Sequence, residues 1–66
     1  MVAKEGIALE SLPNLMFRVK IKDTEQIIIA HMSGKMKLNK IRVLPGDRVY
    51  VEVSDDGEKG RIIRRL

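Results

Sequence analysis

The sequence contains no cysteine, a single histidine, His31, and only two aromatic residues, Phe17 and Tyr50. Without cysteine there are no disulfides and no thiolate metal ligands, and one histidine does not build a zinc site, so we expect no metal and no cofactor. No apolar run reaches the roughly 20 residues of a membrane-spanning helix, and residues 1–5 lack the apolar stretch of a secretory signal. No Ser/His/Asp or Cys/His set has a spacing suited to catalysis. The composition therefore predicts a soluble intracellular domain that binds a partner and is not an enzyme.

Charge is unevenly distributed along the 66 residues, which carry a net charge of +4. Residues 1–34 hold four basic and four acidic side chains, whereas residues 35–66 hold nine basic and five acidic ones. The basic residues of the second half form two clusters, Lys35, Lys37, Lys40 and Arg42, and then Lys59, Arg61, Arg64 and Arg65. Such clusters suit the phosphate backbone of a nucleic acid, although they also form the solvated surface that keeps a small protein soluble.

Alternation of apolar and polar residues with a period of two predicts a β-rich chain. Residues 17–22 and 48–53 alternate in this way, as expected for strands with one face in the core and the other in water. Residues 26–30 are a continuous and largely β-branched run, which we interpret as a strand buried on much of both faces. Weaker patterns over residues 5–12 and 61–64 complete a set of five short strands.

The segments between these strands carry turn and helix signals. Turns are expected at residues 13–14, 22–25, 45–47 and 55–57. Ser33 can begin a short helix and Asn39 can end it, with Met36 or Leu38 holding it against the sheet. Gly6 fits the sharp bending of barrel strands.

The length of the chain decides how five strands pack. Sixty-six residues are too few for two well-packed sheets, and closure into a barrel encloses a core and removes the strand edges. We therefore predict an all-β fold, a five-stranded OB-fold barrel with a short helix between strands 3 and 4. Residues 1–66 are expected to form one domain.

Four segments carry a more specific pattern: residues 12–19 (LPNLMFRV), 30–36 (AHMSGKM), 41–49 (IRVLPGDRV) and 60–62 (GRI). In this order and spacing they resemble the bacterial-type translation initiation factor one family, over about residues 2–65. The resemblance implies a single S1-like OB-fold that binds RNA as a monomer, in the bacterial cytoplasm or in an organellar stroma or matrix. It further implies binding at the A site of the small ribosomal subunit, against the decoding stem of its rRNA and a neighbouring ribosomal protein. There the family blocks early tRNA entry and assists the other initiation factors without covalent chemistry.

The sequence departs from that family at several positions. Lys40 stands where the family usually has an aromatic residue, Leu38 where it has a basic one, and Lys37 where it has arginine. Residues 54–57 are more acidic than the Pro-Tyr-Asp stretch that the family carries there. These differences indicate a divergent member, and they concern the RNA contacts more than the fold.

Arg42 and Arg61 lie inside the matched segments and are the first candidates for RNA contact. A guanidinium offers a planar fork of donors that can bind a phosphate or stack on an unstacked base. The alternative for these arginines is a surface ion pair with Asp47 or Glu52.

The remaining cations near the short helix are candidates of a second kind. Lys35 and Lys37 would act as point charges on phosphate, and the alternative is that they are solvated. At Lys40 the attraction of a charge to phosphate would replace the stacking of an aromatic side chain on a base. His31 is either a satisfied structural histidine or an RNA contact.

Asn14 is expected mainly to set its turn, with RNA contact secondary, while Arg64 and Arg65 supply long-range attraction. Phe17 is in phase with the core and Tyr50 lies on the polar phase of its strand. So few aromatic residues argue against a single-strand-binding protein and favour docking on structured RNA through charge and shape. Two alternatives stay open: a general RNA chaperone of OB-fold type, and a protein-interaction module that uses an exposed edge of the barrel.

Overall fold

The computed structural model describes residues 2–66, which form five strands, one short α-helix and one 3₁₀ turn. The strands are β1 Val2–Leu12, β2 Met16–Ile21, β3 Ile27–Met32, β4 Arg48–Val53 and β5 Lys59–Arg65. The 3₁₀ turn is Pro13–Leu15 and the helix, α1, is Gly34–Leu38. The order of these elements confirms the predicted all-β fold with a helix between the third and fourth strands.

The strands close into one barrel in the order β1-β2-β3-β5-β4, with β4 pairing back onto β1. Neighbouring strands are antiparallel apart from β3 and β5, which run parallel. Closure gives every strand among residues 2–66 a neighbour on both sides, although β1 pairs with β4 only over Val2–Ile7. The short length of unpaired edge disfavours the alternative of a protein-interaction module that uses a barrel edge.

The core is apolar and draws on every strand, on α1 and on the segment before β4. Its buried members are Ala8, Phe17, Val19, Ile21, Ile28, Ala30, Met32, Met36, Val43, Val49, Val51 and Ile62. On β2 the alternation places Phe17, Val19 and Ile21 inside and the two basic residues between them outside. The prediction that Phe17 is a core residue is therefore confirmed.

The interpretation of residues 26–30 as buried on much of both faces is wrong. Ile28 and Ala30 are buried, but Ile27 is 53% exposed and Ile29 is only half-buried. A small barrel has one interior, and no second layer of structure covers the outer face of β3. The isoleucine run is therefore an ordinary barrel strand with unusually apolar residues on its solvent side.

Two glycines are required by close approach of the backbone. A Cβ at Gly6 would lie 2.8 Å from the carbonyl oxygen of Lys20, and a Cβ at Gly60 would lie 2.6 Å from Cγ1 of Val51 and 2.8 Å from Cδ1 of Ile28. Any side chain at these positions would displace a neighbouring strand or its core residues. The two glycines thus allow the small barrel to close around its apolar interior.

Helix α1 begins and ends as the sequence predicts. The Ser33 hydroxyl oxygen accepts a hydrogen bond from the Met36 N–H at 3.2 Å, and Asn39 is the C-cap. Met36 is 2% exposed and packs into the core, whereas Leu38 is 81% exposed. Of the two residues considered for holding the helix, Met36 is therefore the one that does so.

The predicted turn at residues 45–47 is present and is tied to β1. The Asp47 N–H donates to the Leu44 carbonyl at 3.0 Å, and Gly46 has φ +94°, as position i+2 of a type II turn requires. The Asp47 carboxylate accepts a hydrogen bond from the Leu44 N–H at 2.9 Å. The Gly46 N–H donates to the Ala8 carbonyl at 2.7 Å, which anchors the segment after α1 to the barrel.

Candidate nucleic-acid interface

The C-terminus of α1 fixes the start of a basic surface. The Ile41 N–H donates to the Met36 carbonyl at 3.0 Å, and the Lys40 N–H donates to the Lys37 carbonyl at 3.1 Å. Lys40 has φ +55°, so these bonds form a Schellman motif with Lys40 at the left-handed position. The motif turns the chain sharply and sends Arg42 back towards β5.

A groove lies between α1, the segment that follows it and the end of β5. We call it the basic groove, and its volume is about 780 Å³. Its lining contains five of the predicted site residues: Lys35, Lys40, Arg42, Arg64 and Arg65. Nη1 of Arg65 donates to the carbonyl oxygen of Arg42 at 3.0 Å, which joins the two sides of the groove. The two basic clusters of the sequence therefore meet at one place.

Among residues 2–66, no carboxylate forms an ion pair with the cations of the basic groove. Ion pairs between described residues involve Lys4, Lys22, Arg48 and Arg61, and none of these four lines the groove. The ion pair considered between Arg42 and Asp47 is not among those formed by the described residues, and the Asp47 carboxylate accepts a hydrogen bond from the Leu44 N–H. Cations left together without carboxylates create a positive potential that attracts a polyanion.

A second groove, largely apolar, adjoins the basic groove and has a volume of about 450 Å³. Its apolar lining comes from the 3₁₀ turn, the barrel interior and the segment after α1: Leu15, Phe17, Met32, Ile41, Val43, Leu44 and Pro45. Lys37, Lys40 and Arg42 stand at its rim. Lys40 and Arg42 line both grooves, so the charged and apolar surfaces form one continuous region.

Arg61 and His31 lie elsewhere, on the outer face of the sheet, where they are register partners on β5 and β3. Arg61 forms an ion pair with Glu52 on β4, with Nε 3.1 Å from the carboxylate oxygen Oε1. The ion-pair alternative for Arg61 is therefore present in the structure. His31 is exposed rather than buried, so it is not part of the core.

Asn14 has φ 64° and ψ 35° within the 3₁₀ turn. Asparagine tolerates this left-handed conformation better than most residues, so its role in setting the turn is clear.

Tyr50 is 39% exposed, as its position on the polar face of the strand predicts. Three further cations, Arg18, Lys20 and Lys59, are exposed on the outer faces of β2 and β5. The alternation of residues 17–22 predicts this exposure for the first two.

Within residues 2–66, no group of three or more histidine, aspartate or glutamate side chains is placed to hold a metal ion. The same residues contain no helix with the length and apolar character needed to cross a membrane.

The β4–β5 turn is held by its own acidic residues. The Asp56 carboxylate accepts hydrogen bonds from the Ser54 hydroxyl and, at 3.0 Å, from the Glu58 N–H. Both bonds favour the charged carboxylate, and the one from Ser54, which is the larger effect, lowers the pKa of Asp56 below its ordinary value of 3.8.

This lowering gives a pH prediction. Since the pKa of Asp56 is lower in the folded state than in the unfolded state, its contribution to stability is complete above about pH 4 and is lost as the pH falls through the folded value. NMR titration of the side-chain carboxyl carbon should give a midpoint below 3.8. In Ser54→Ala the midpoint should rise towards 3.8. An unchanged midpoint in that variant would mean that the Ser54 hydroxyl is not the main cause.

The topology of the barrel is that of the OB-fold, a class whose members bind oligonucleotides and oligosaccharides. Residues 3–66 match the family model described as translation initiation factor 1A / IF-1. The chain belongs to this family, and the prediction that it is a translation initiation factor is confirmed.

Individual relatives agree with this assignment. The chain is 56% identical over 63 residues to the chloroplastic translation initiation factor IF-1 of Glycine max, a match that covers 94% of this chain and 45% of that protein. It is equally similar to the chloroplastic IF-1 of Dioscorea elephantipes, of which it covers 80%. The solution structure of the same initiation factor from the Wolbachia endosymbiont of Brugia malayi is 50% identical with a TM-score of 0.78, covering 98% of this chain and 77% of that one. YjeQ from Thermotoga maritima has a TM-score of 0.83 at 28% identity, but the match covers 98% of this chain and only 23% of that protein.

Proposed function

We propose that this protein binds the small ribosomal subunit at the A site, with the basic groove on rRNA phosphates of the decoding region. The observation that supports this proposal best is the meeting of Lys35, Lys40, Arg42, Arg64 and Arg65 around one groove, where no carboxylate of the described residues pairs with them. Cations in this arrangement bind phosphates and release counterions from the RNA.

The finer parts of the proposal follow from membership of the family. We propose that residues 1–66 act as a single S1-like RNA-binding domain and as a monomer that also contacts a ribosomal protein. In this position the protein blocks premature tRNA entry and assists the other initiation factors, without itself catalysing a reaction. The chloroplastic names of several relatives favour an organellar stroma as its compartment, with the bacterial cytoplasm as the alternative.

The remaining predicted residues divide into two groups under this proposal. Lys37, at the rim of the apolar groove, extends the phosphate-binding surface of α1. His31, Arg61 and Asn14 lie outside the basic groove. The Glu52 carboxylate already neutralises much of the charge of Arg61, so we assign Arg61 a smaller contribution to RNA binding than Arg42.

A titration of fluorescently labelled protein with purified bacterial small ribosomal subunits tests the proposal. We expect saturable binding, together with much weaker binding to large subunits and to unstructured RNA. If about four phosphates are neutralised, the logarithm of the association constant should fall with the logarithm of salt concentration at a slope of roughly −3. Similar affinity for every RNA offered would favour the general RNA chaperone instead. Saturable binding that does not respond to salt would exclude the basic groove as the interface.

A further inference from the structure

Leu38 is the most exposed of the large apolar side chains in residues 2–66, with 81% of its surface in contact with solvent. A single exposed leucine on an ordinary surface needs no explanation. Leu38 differs because of its neighbours along the chain, which are Lys35, Lys37 and Lys40. None of these lysines has an ion-pair partner among the described residues. An apolar side chain therefore stands within an unneutralised cationic surface.

The backbone beneath Leu38 is held on both sides. Before it, the Ser33 hydroxyl caps α1 and the buried Met36 anchors the helix in the core. After it, the Schellman motif fixes Lys40 and Ile41. Because this backbone is already fixed, binding of a partner orders only the Leu38 side chain and not the main chain that carries it. The backbone at Leu38 is thus preorganised for contact.

Leu38 lines neither groove in the described part of the chain. Met36, two residues before it, is buried, so the geometry of the helix places Leu38 on the face that points away from the core. Lys35 lines the basic groove and Lys37 lines the apolar groove, on either side of this face. A partner whose phosphates reach both lysines passes over this face and covers Leu38.

We propose that Leu38 is an apolar anchor that becomes buried against structured RNA when the lysines beside it bind phosphates. This inference rests on the proposed function and adds a contact that charge alone does not provide. Double-stranded RNA offers a wide and shallow minor groove lined by sugars and base edges, and a short side chain can reach that surface. RNA is favoured over a protein partner because the cations beside Leu38 have no carboxylate among their described neighbours. Burial of the leucine removes its apolar surface from water and so strengthens binding at every salt concentration.

Leu38→Ala tests the inference in the same titration with small ribosomal subunits. We expect affinity to fall about tenfold, by the loss of buried apolar surface, with the slope against salt unchanged because no charge is altered. Ile27→Ala is the matched control, since Ile27 is also exposed but lies on the outer face of β3. The control should bind like the wild type. Leu38→Lys should steepen the slope by about 0.7–0.9, the effect of one added phosphate contact.

The absence of cysteine allows a direct test of what covers this position. In Leu38→Cys the new thiol is unique, so a photoactivatable crosslinker can be attached there and irradiated on the small subunit. We expect the crosslink to form with rRNA. A crosslink to a ribosomal protein, or none from bound protein, would overturn the inference.

The two proposals can fail separately. If the wild type shows no saturable binding to small subunits, the proposed function itself is wrong. If the wild type binds and Leu38→Ala binds equally well, the function stands and the apolar anchor is wrong. A thermal melt of each variant confirms that binding is compared between folded proteins.

Discussion

Replacement of Ile28 by alanine is expected to lower the free energy of unfolding by about 2–4 kcal/mol, the range for removing a large aliphatic core side chain. Ile28 is 2% exposed, and its Cδ1 lies beside Gly60, where β3 and β5 approach closely. The space it leaves cannot easily be refilled, because the barrel around it is closed by hydrogen bonds on both sides. In a domain this small, such a loss lowers the melting temperature by roughly 10–25 °C.

The loss expected for Ile28→Ala is a large fraction of the total free energy of unfolding. Small domains have unfolding free energies near the low end of about 5–15 kcal/mol, and a chain of this length buries only about 60% of its unfolded surface. A substantial part of the variant is therefore expected to be unfolded at physiological temperature. Circular dichroism during urea and thermal denaturation measures both quantities.

Ile27→Ala is the matched control for this experiment. It removes the same atoms from the neighbouring residue of the same strand, but from a side chain that is 53% exposed. The expected loss is below about 1 kcal/mol, as for most substitutions of exposed residues. Equal destabilisation by the two variants would show that the inside and outside of β3 have been assigned wrongly.

Reversal of two charges in the basic groove, Arg42→Glu with Arg64→Glu, is expected to weaken binding to small ribosomal subunits by at least about a hundredfold. Each arginine contributes charge-assisted hydrogen bonds worth roughly 1.5–3 kcal/mol, and the new carboxylates repel phosphates. The slope of affinity against salt should become shallower by about 1.4–1.8, since two phosphate contacts are lost. Both side chains are exposed, so the barrel should melt normally.

The control for this variant carries the same change in net charge at another place. Lys20→Glu with Lys22→Glu alters two exposed residues of β2 and the turn that follows it, neither of which lines the basic groove. It should retain most of the affinity, because salt screens the interaction between RNA phosphates and charges that lie away from the interface. Equal loss in both variants would mean that net charge, and not the groove, determines binding.

The barrel could be predicted from sequence because period-two alternation records which side of a strand faces the core. The pattern fails for residues 26–30, where isoleucines lie on both faces of the strand. Whether the outer face is buried there depends on whether another layer of structure covers it. The pattern also could not choose between Met36 and Leu38, since a helix of five residues is too short to define an apolar face. The packing of α1 on the barrel end settles that choice.

The composition of the candidate site could be predicted, but its geometry could not. Two basic clusters are visible in the sequence, yet they meet only in the folded barrel, where Arg65 donates to the carbonyl of Arg42, 23 residues away. The ion pair of Arg61 with Glu52 depends in turn on the register of β4 and β5. Register and long-range contacts of this kind follow from how the barrel closes, and local patterns do not record them.

The position of β5 between β3 and β4 has a consequence for how the protein is made. Until residues 59–65 have emerged from the ribosome that synthesises them, β3 and β4 each have an unpaired edge and Ile62 is missing from the core. Pairing of β3 with β5 joins parts of the chain about thirty residues apart, and such non-local contacts form late and slowly. The nascent chain therefore cannot close its barrel until β5 has left the exit tunnel.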